Sequence, residues 1–200
     1  MSKGLSNPIP SPDISFYRFV GTSPLEVWYL PGQAQSAALS TVSAAAGTIS
    51  THPFLSGKGG RVDRLAIEVT TAAGAGGVIR FGIYTTDGTQ NLYPRTLVVD
   101  SGEFSTTTTG IKSATIDIVL EQNKVYHLVI NAGTSAPSVR AFVAANQQNL
   151  FGSPADGGGT PAILMRLSGS RTYAALSATF PAGFSTVGTT GFAGAIRYAS

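Results

Sequence analysis

A chain of 200 residues in which 42% are hydrophobic has enough apolar material for one domain with a real core or two small ones. Charged residues make up only 12%, about half the roughly 25% of an average soluble domain. With 13 Lys and Arg against 10 Asp and Glu the net charge is +3, which excludes the usual disordered tail, a long coiled coil and a strongly basic nucleic-acid face.

Small neutral residues replace the missing charge: 24 Gly, 25 Ala, 21 Ser and 22 Thr. There is no cysteine, so disulfides, thiol catalysis and cysteine-based zinc sites are ruled out. No apolar run approaches a membrane span, and the polar, Pro-rich start lacks the apolar stretch of a signal peptide. These features predict neither nucleic acid nor membrane as a partner.

Residues 1–32 read as an extended arm. Asn7-Pro8-Ile9-Pro10-Ser11-Pro12 favours a polyproline-like conformation, because alternate prolines forbid helix and donate no ladder hydrogen bonds. Two aromatic patches follow, Phe16-Tyr17-Arg18-Phe19 and Val27-Trp28-Tyr29-Leu30, closed by the Pro31-Gly32 turn. Phe16, Tyr17, Phe19, Trp28 and Tyr29 are the candidate partner-binding anchors, since aromatic side chains dominate interface hot spots.

Residues 33–200 form the predicted second unit. Gln33–Gly47 reads as strand or loop. Arg64–Thr70 alternates cleanly, with Leu65, Ile67 and Val69 on one face and Ala66, Glu68 and Thr70 on the other. Val78–Thr85 follows with Ile79, Phe81 and Ile83 inward, and then a short strand at Thr96–Asp100. Asp100-Ser101-Gly102-Glu103 reads as a turn. Ile116, Ile118 and Leu120 mark the next inward face, and Lys124–Asn131 is apolar on both faces, as a central strand would be. Val139–Ala145, Ala162–Leu167 and Ala193–Ala199 complete the series. Short strands with turn signals every 8–15 residues and no long helix predict an all-β, jelly-roll-like antiparallel β-sandwich.

Chemistry is sparse. His127 sits in the most apolar strand and reads as a satisfied structural histidine; His52 precedes Pro53 at a strand entrance, where a surface role is equally compatible. The mid-chain acids Asp87, Asp100, Glu103 and Asp117 have no spacing that compels a catalytic pair. No nucleophile elbow or phosphate-loop motif occurs, and Asp87 with Asn91 lacks the acid density of an EF-hand calcium loop. The reading is therefore of a non-enzyme with no catalytic residues, metal or cofactor. Tyr84, Tyr93, Tyr173 and Phe184, if exposed, are the aromatics that could stack on sugar rings.

Several blocks resemble a family of tailed-bacteriophage virion proteins, found as head-associated or tail-fibre domains. They are Gly59–Thr71, Arg80–Tyr84, Asn91–Pro94, Leu97–Glu103 and Tyr173–Gly183, in that order. The resemblance implies a virion structural protein assembled in the host cytoplasm, and carries over no catalytic residue. Because the chain is one compact domain plus an arm, without the long shaft of a tail fibre, a capsid decoration (cement) protein is expected. Its partners would be the major capsid protein or another virion protein, and its charge-poor faces would associate as a homotrimer. The alternatives are a short tail-fibre or receptor-binding module that takes a host glycan and, less favoured, a polysaccharide-degrading enzyme.

Overall fold

The computed structural model describes residues 18–20, 27–29, 39–57, 59–86, 92–143, 166–187 and 190–199. Fourteen strands and no helix occur among them. They form two antiparallel sheets packed as a sandwich, the architecture expected from the alternating pattern.

The first sheet runs in the order β1 (Arg18–Val20), β2 (Val27–Tyr29), β14 (Gly194–Tyr198), β5 (Gly60–Thr71), β10 (Ser138–Val143) and β13 (Thr190–Phe192). To it are added β3 (Ser40–Ser43), which pairs with β10, and β8 (Gly110–Leu120), which pairs with β5. The second sheet is β12 (Ser185–Val187), β11 (Arg166–Ser170), β4 (Thr48–Ser56), β9 (Lys124–Ala132), β6 (Val78–Thr86) and β7 (Pro94–Ser105). The chain changes sheet repeatedly, at β4 to β5, β5 to β6, β7 to β8, β8 to β9 and β9 to β10, so the sheets are stitched together by the backbone itself.

The core follows the inward positions. Leu65 and Ile67 of β5, Ile79, Phe81 and Ile83 of β6, Ile116 and Leu120 of β8, and Leu128 and Ile130 of β9 are buried together. Strand β9 is flanked by β4 and β6 and buried on both faces, as its two-sided apolar sequence requires. Its His127 is held from both sides. A carbonyl only accepts, so Nε2 carries the proton donated to Leu92 O at 2.7 Å, and the Thr51 hydroxyl at 3.2 Å donates to Nδ1.

Two expectations are corrected. Asp100–Glu103 is not a turn: it lies inside the twelve-residue strand β7, and the Gly and Asp that signal a turn make a bulge instead. Gly102 adopts φ +83° there, and its N–H donates to the Asp100 carboxylate at 2.9 Å. His52 is not at the surface: it is buried within β4, with its ring 5.5 Å from that of Phe142. Among the described residues β11 pairs with Thr48, Ile49 and Ser50 and β9 alone pairs at Pro53, so the missing N–H of the proline leaves no described ladder partner unmet there. Within residues 1–32 lie β1 and β2, and β2 pairs with β14 of the sandwich sheet.

Candidate partner-binding face

The outer face of the second sheet is closed by the chain itself. Residues 171–184 cross it and set Leu176 and Phe180 against Ile49, Tyr84 and Val129. Phe180 makes ring contacts with Tyr84, Tyr93 and Phe184 at 5.2, 5.8 and 5.3 Å. Gly82 makes the close approach possible, since a Cβ there would lie 2.5 Å from Leu176 Cδ1 and from the Val99 carbonyl oxygen.

Polar latches fix the covering segment. The Leu176 N–H donates to Asp100, which also pairs with Arg80 at 2.9 Å. Tyr84 O–H donates to Ser177 O, Tyr93 O–H to Pro181 O and Tyr173 O–H to Glu103. Burial pushes the Tyr84 phenol above its ordinary pKa, and burial together with Glu103 does the same to Tyr173. The sugar-stacking expectation for these aromatics therefore fails at its centre: Tyr84 is fully buried, and Tyr93, Tyr173 and Phe184 are half-buried within the cover.

The outer face of the first sheet has a different character. Along β5 the outward side chains make a ladder of bidentate ion pairs to neighbouring strands: Arg61 with Asp117, Asp63 with Arg197, and Glu68 with Arg140. The arginines hold Asp63, Glu68 and Asp117 below the usual carboxylate range, chiefly through these hydrogen bonds. The Arg197 guanidinium also lies over the Trp28 ring, 5.8 Å from its centre. Between the ladder and Trp28 runs an apolar groove of about 260 Å³, floored by Ala66, Ala193 and Ala195 and walled by Trp28 and Ile111.

The predicted anchors divide accordingly. Trp28 lines this groove, whereas Tyr29 turns inward and packs edge-on to Tyr198 at 5.3 Å. Phe16 and Tyr17 lie outside the described residues. Phe19 lies in β1, opposite Trp28 in the strand register. Asp87 and Asn91, raised as a calcium pair, also lie outside the described residues.

Sequence reasoning missed the partners Glu68, Arg140, Asp63 and Arg197. Their outward positions are legible from alternation, but the cross-strand register that pairs them is not.

Every described acid is engaged. Asp63, Glu68, Asp100, Asp117 and Glu121 are ion-paired, and Glu103 accepts from Tyr173. Among the described residues no group of three or more His, Asp or Glu is placed to hold a metal ion.

No protein family and no curated protein matches the chain. Solved structures do share its shape. One is the clostridial cysteine protease Cwp84 after propeptide cleavage, at TM-score 0.52 and 12% identity over 89% of this chain and 41% of that one. A second, of the cysteine protease and lectin-like domains of Cwp84, a surface-layer-associated protein of Clostridium difficile, aligns at TM-score 0.46 and 8% identity. It covers 80% of this chain and 36% of its own. The chain thus spans about two-fifths of the length of the first neighbour, and at such identities the likeness is one of fold alone. Without a cysteine, this chain cannot supply a cysteine protease's nucleophile.

Proposed function

We propose that this protein is a non-enzymatic structural component of a tailed-phage particle, a capsid decoration protein that docks through its N-terminal segment and the open sheet face. The observation that carries the reading is their continuity: β2 adds to β14 and brings Trp28 to the rim of the apolar groove. A partner gripping the N-terminal aromatics would meet the groove on the same surface. The blocks that resemble phage virion proteins support the class. They fall largely on β5, β6, β7 and the covering segment 171–184, and several lock together there, through Leu176 with Asp100, Tyr84 with Ser177, and Tyr173 with Glu103. The resemblance thus lies in the scaffold, and position on the particle is left to the N-terminal segment and groove.

The engagement of every described carboxylate supports a non-catalytic role, because a glycosidase needs one carboxyl held protonated and another free to attack or activate water. The test is to locate the protein on intact particles by cryo-microscopy and to assay capsid binding of a chain lacking residues 1–26. That deletion removes Phe16, Tyr17 and Phe19 but keeps β2. Loss of capsid binding with an intact sandwich is expected; unimpaired binding would overturn docking through the N-terminal segment.

A glycan-binding module is the second reading, favoured by the Trp28 indole beside the Glu68–Arg140 pair in one groove. Glycan-array binding that Trp28→Ala abolishes would establish it in place of the first.

A further inference from the structure

Among the described residues the exposed large hydrophobic side chains are Ile111 and Val119, 74% and 68% accessible. Both lie on β8, and both point away from the core. This strand is eleven residues long, and among the described residues it pairs with β5 alone. Its other side is a sheet edge, at the far side of β5 from β14 and the N-terminal hairpin.

Long edge strands are normally blunted by proline, by inward charge or by a kink, because their unpaired N–H and C=O groups template pairing. Strand β8 contains no proline. Its burial alternates throughout, with Ile111, Ser113, Thr115, Asp117 and Val119 exposed and Lys112, Ala114, Ile116, Ile118 and Leu120 more deeply set, and the Lys112 ammonium reaches out to the Thr108 hydroxyl at 2.8 Å. At the register shift between Val62 and Arg64 the extra residue lies on β8, where Ile116 and Asp117 both stand against Asp63, and the burial alternation of β8 continues through this bulge.

We infer that β8 pairs antiparallel with β8 of a second copy of this chain, about a two-fold axis at Thr115. The argument is the placement of the two hydrophobic side chains. Ile111 and Val119 stand four residues to either side of Thr115, so the register that sets Thr115 opposite itself also sets Ile111 opposite Val119 of the partner subunit, and Val119 opposite Ile111 of the partner subunit. One shift thus covers all four exposed apolar side chains, joins the two first sheets through backbone hydrogen bonds, and sets Ser113 opposite Asp117 of the partner subunit. Such an interface is isologous, the rule for two-fold homodimers. It yields a dimer in place of the trimer expected from the charge-poor faces. It uses a different edge from the N-terminal hairpin, shares with the groove beside Trp28 only the Ile111 wall and its neighbour Ser113, and does not depend on the virion reading.

The test is the mass of the full chain by sedimentation velocity and light scattering, with circular dichroism to confirm the fold of each variant. The wild type is expected to approach twice 20.5 kDa as its concentration rises; a monomer throughout, or a trimer, overturns the proposal. Ile111→Glu with Val119→Glu sets like charges opposite each other and is expected to give a monomer, whereas Ile111→Glu with Val119→Lys sets opposite charges together and is expected to restore the dimer. If the Glu/Glu variant stays dimeric, or the folded Glu/Lys variant stays monomeric, the assigned register is wrong.

Thr115→Cys gives a check that leaves the hydrophobic pair untouched. Directly opposed residues have Cα atoms roughly 4.5–5.5 Å apart, within disulfide reach, and the chain has no other cysteine. Mild oxidation is expected to link the dimer covalently, and a dimer that does not cross-link excludes the pairing.

Discussion

The two outer faces of the sandwich are finished in opposite ways. Over the second sheet the chain lays its own segment 171–184, filling the surface with Leu176 and Phe180 and tying it down through Asp100, Tyr84 and Tyr93. Over the first sheet the charges pair in a ladder, and an apolar groove lies beside Trp28. A sheet face that carries apolar surface must be covered by something. The covered face shows the chain solving that problem internally; the other leaves room for a solution from outside. One face is thus closed by the chain's own side chains and the other carries a paired ladder and a groove, and substitutions on the two faces should report to different assays.

The largest effect is expected from Phe180→Ala. It removes a ring in contact with Tyr84, Tyr93 and Phe184 at the centre of the cover, and Phe-to-Ala changes in cores cost about 3–5 kcal/mol. Thermal or denaturant unfolding measures the loss. Trp28 is the chain's single tryptophan and lies on the other face, so its emission before the transition should stay that of the wild type. An early Trp28 change would show that the two faces are not separable.

Gly82→Ala comes next. A methyl group there meets Leu176 and, less forgivingly, the backbone oxygen of Val99. The covering segment must lift or β7 must shift, at about 1–3 kcal/mol. Hydrogen exchange should show the cost as faster exchange of the Leu176 and Phe180 amides, with β5 and β14 unchanged.

The covered half explains what was legible in the sequence and what was not. Alternation in Arg64–Thr70 and Val78–Thr85 marks the strands and their inward faces, because burial of one face imposes a period of two. The two-sided apolar run of β9 marks a central strand for the same reason. The cover is not periodic. Leu176, Phe180 and Phe184 recur every four residues in a segment that is mostly neither strand nor helix, and only the tertiary approach over Gly82 gives that spacing a meaning. Tyr84 could be read as an exposed platform because nothing in its own strand shows that a segment ninety residues later will bury it. Asp100–Gly102 carried turn chemistry, but a bulge uses the same residues, and only pairing with β6 distinguishes the two. On the open face, Trp28 was marked by its composition alone. Its neighbours Glu68 and Arg140 are seventy-two residues apart and meet only through register.

The ion pairs of the open face give the next prediction. The folded carboxyl of Asp63 lies below its ordinary value because Arg197 hydrogen-bonds to it. A group with a lowered folded pKa contributes stability above its unfolded pKa and loses it as the pH falls through the folded value. The wild type should therefore lose stability below about pH 4. Asp63→Asn should cost about 1 kcal/mol at neutral pH and flatten that acid limb. Denaturant midpoints measured across the acid range decide it. Parallel acid limbs in the two proteins would mean that the pair contributes nothing to stability. Because Arg197 also lies over Trp28, the tryptophan emission should respond to this substitution, in contrast to Phe180→Ala.

The smallest effect is expected from Ile111→Ser, and its size should depend on how much protein is present. In an isolated chain Ile111 is largely in water, so removing its apolar surface changes little, within about 0.5 kcal/mol. A second copy paired along β8 would bury the same side chain, and a ligand that binds only the folded state adds stability that grows with its concentration. At low concentration the wild-type and Ile111→Ser melting curves should then coincide, and as concentration rises the wild type alone should shift upward. Phe180→Ala should show the opposite pattern, a constant deficit at every concentration, since its contacts lie within one chain. If Ile111→Ser follows the wild type at all concentrations, the open edge is open in solution too, and the contrast between the faces narrows to the groove beside Trp28.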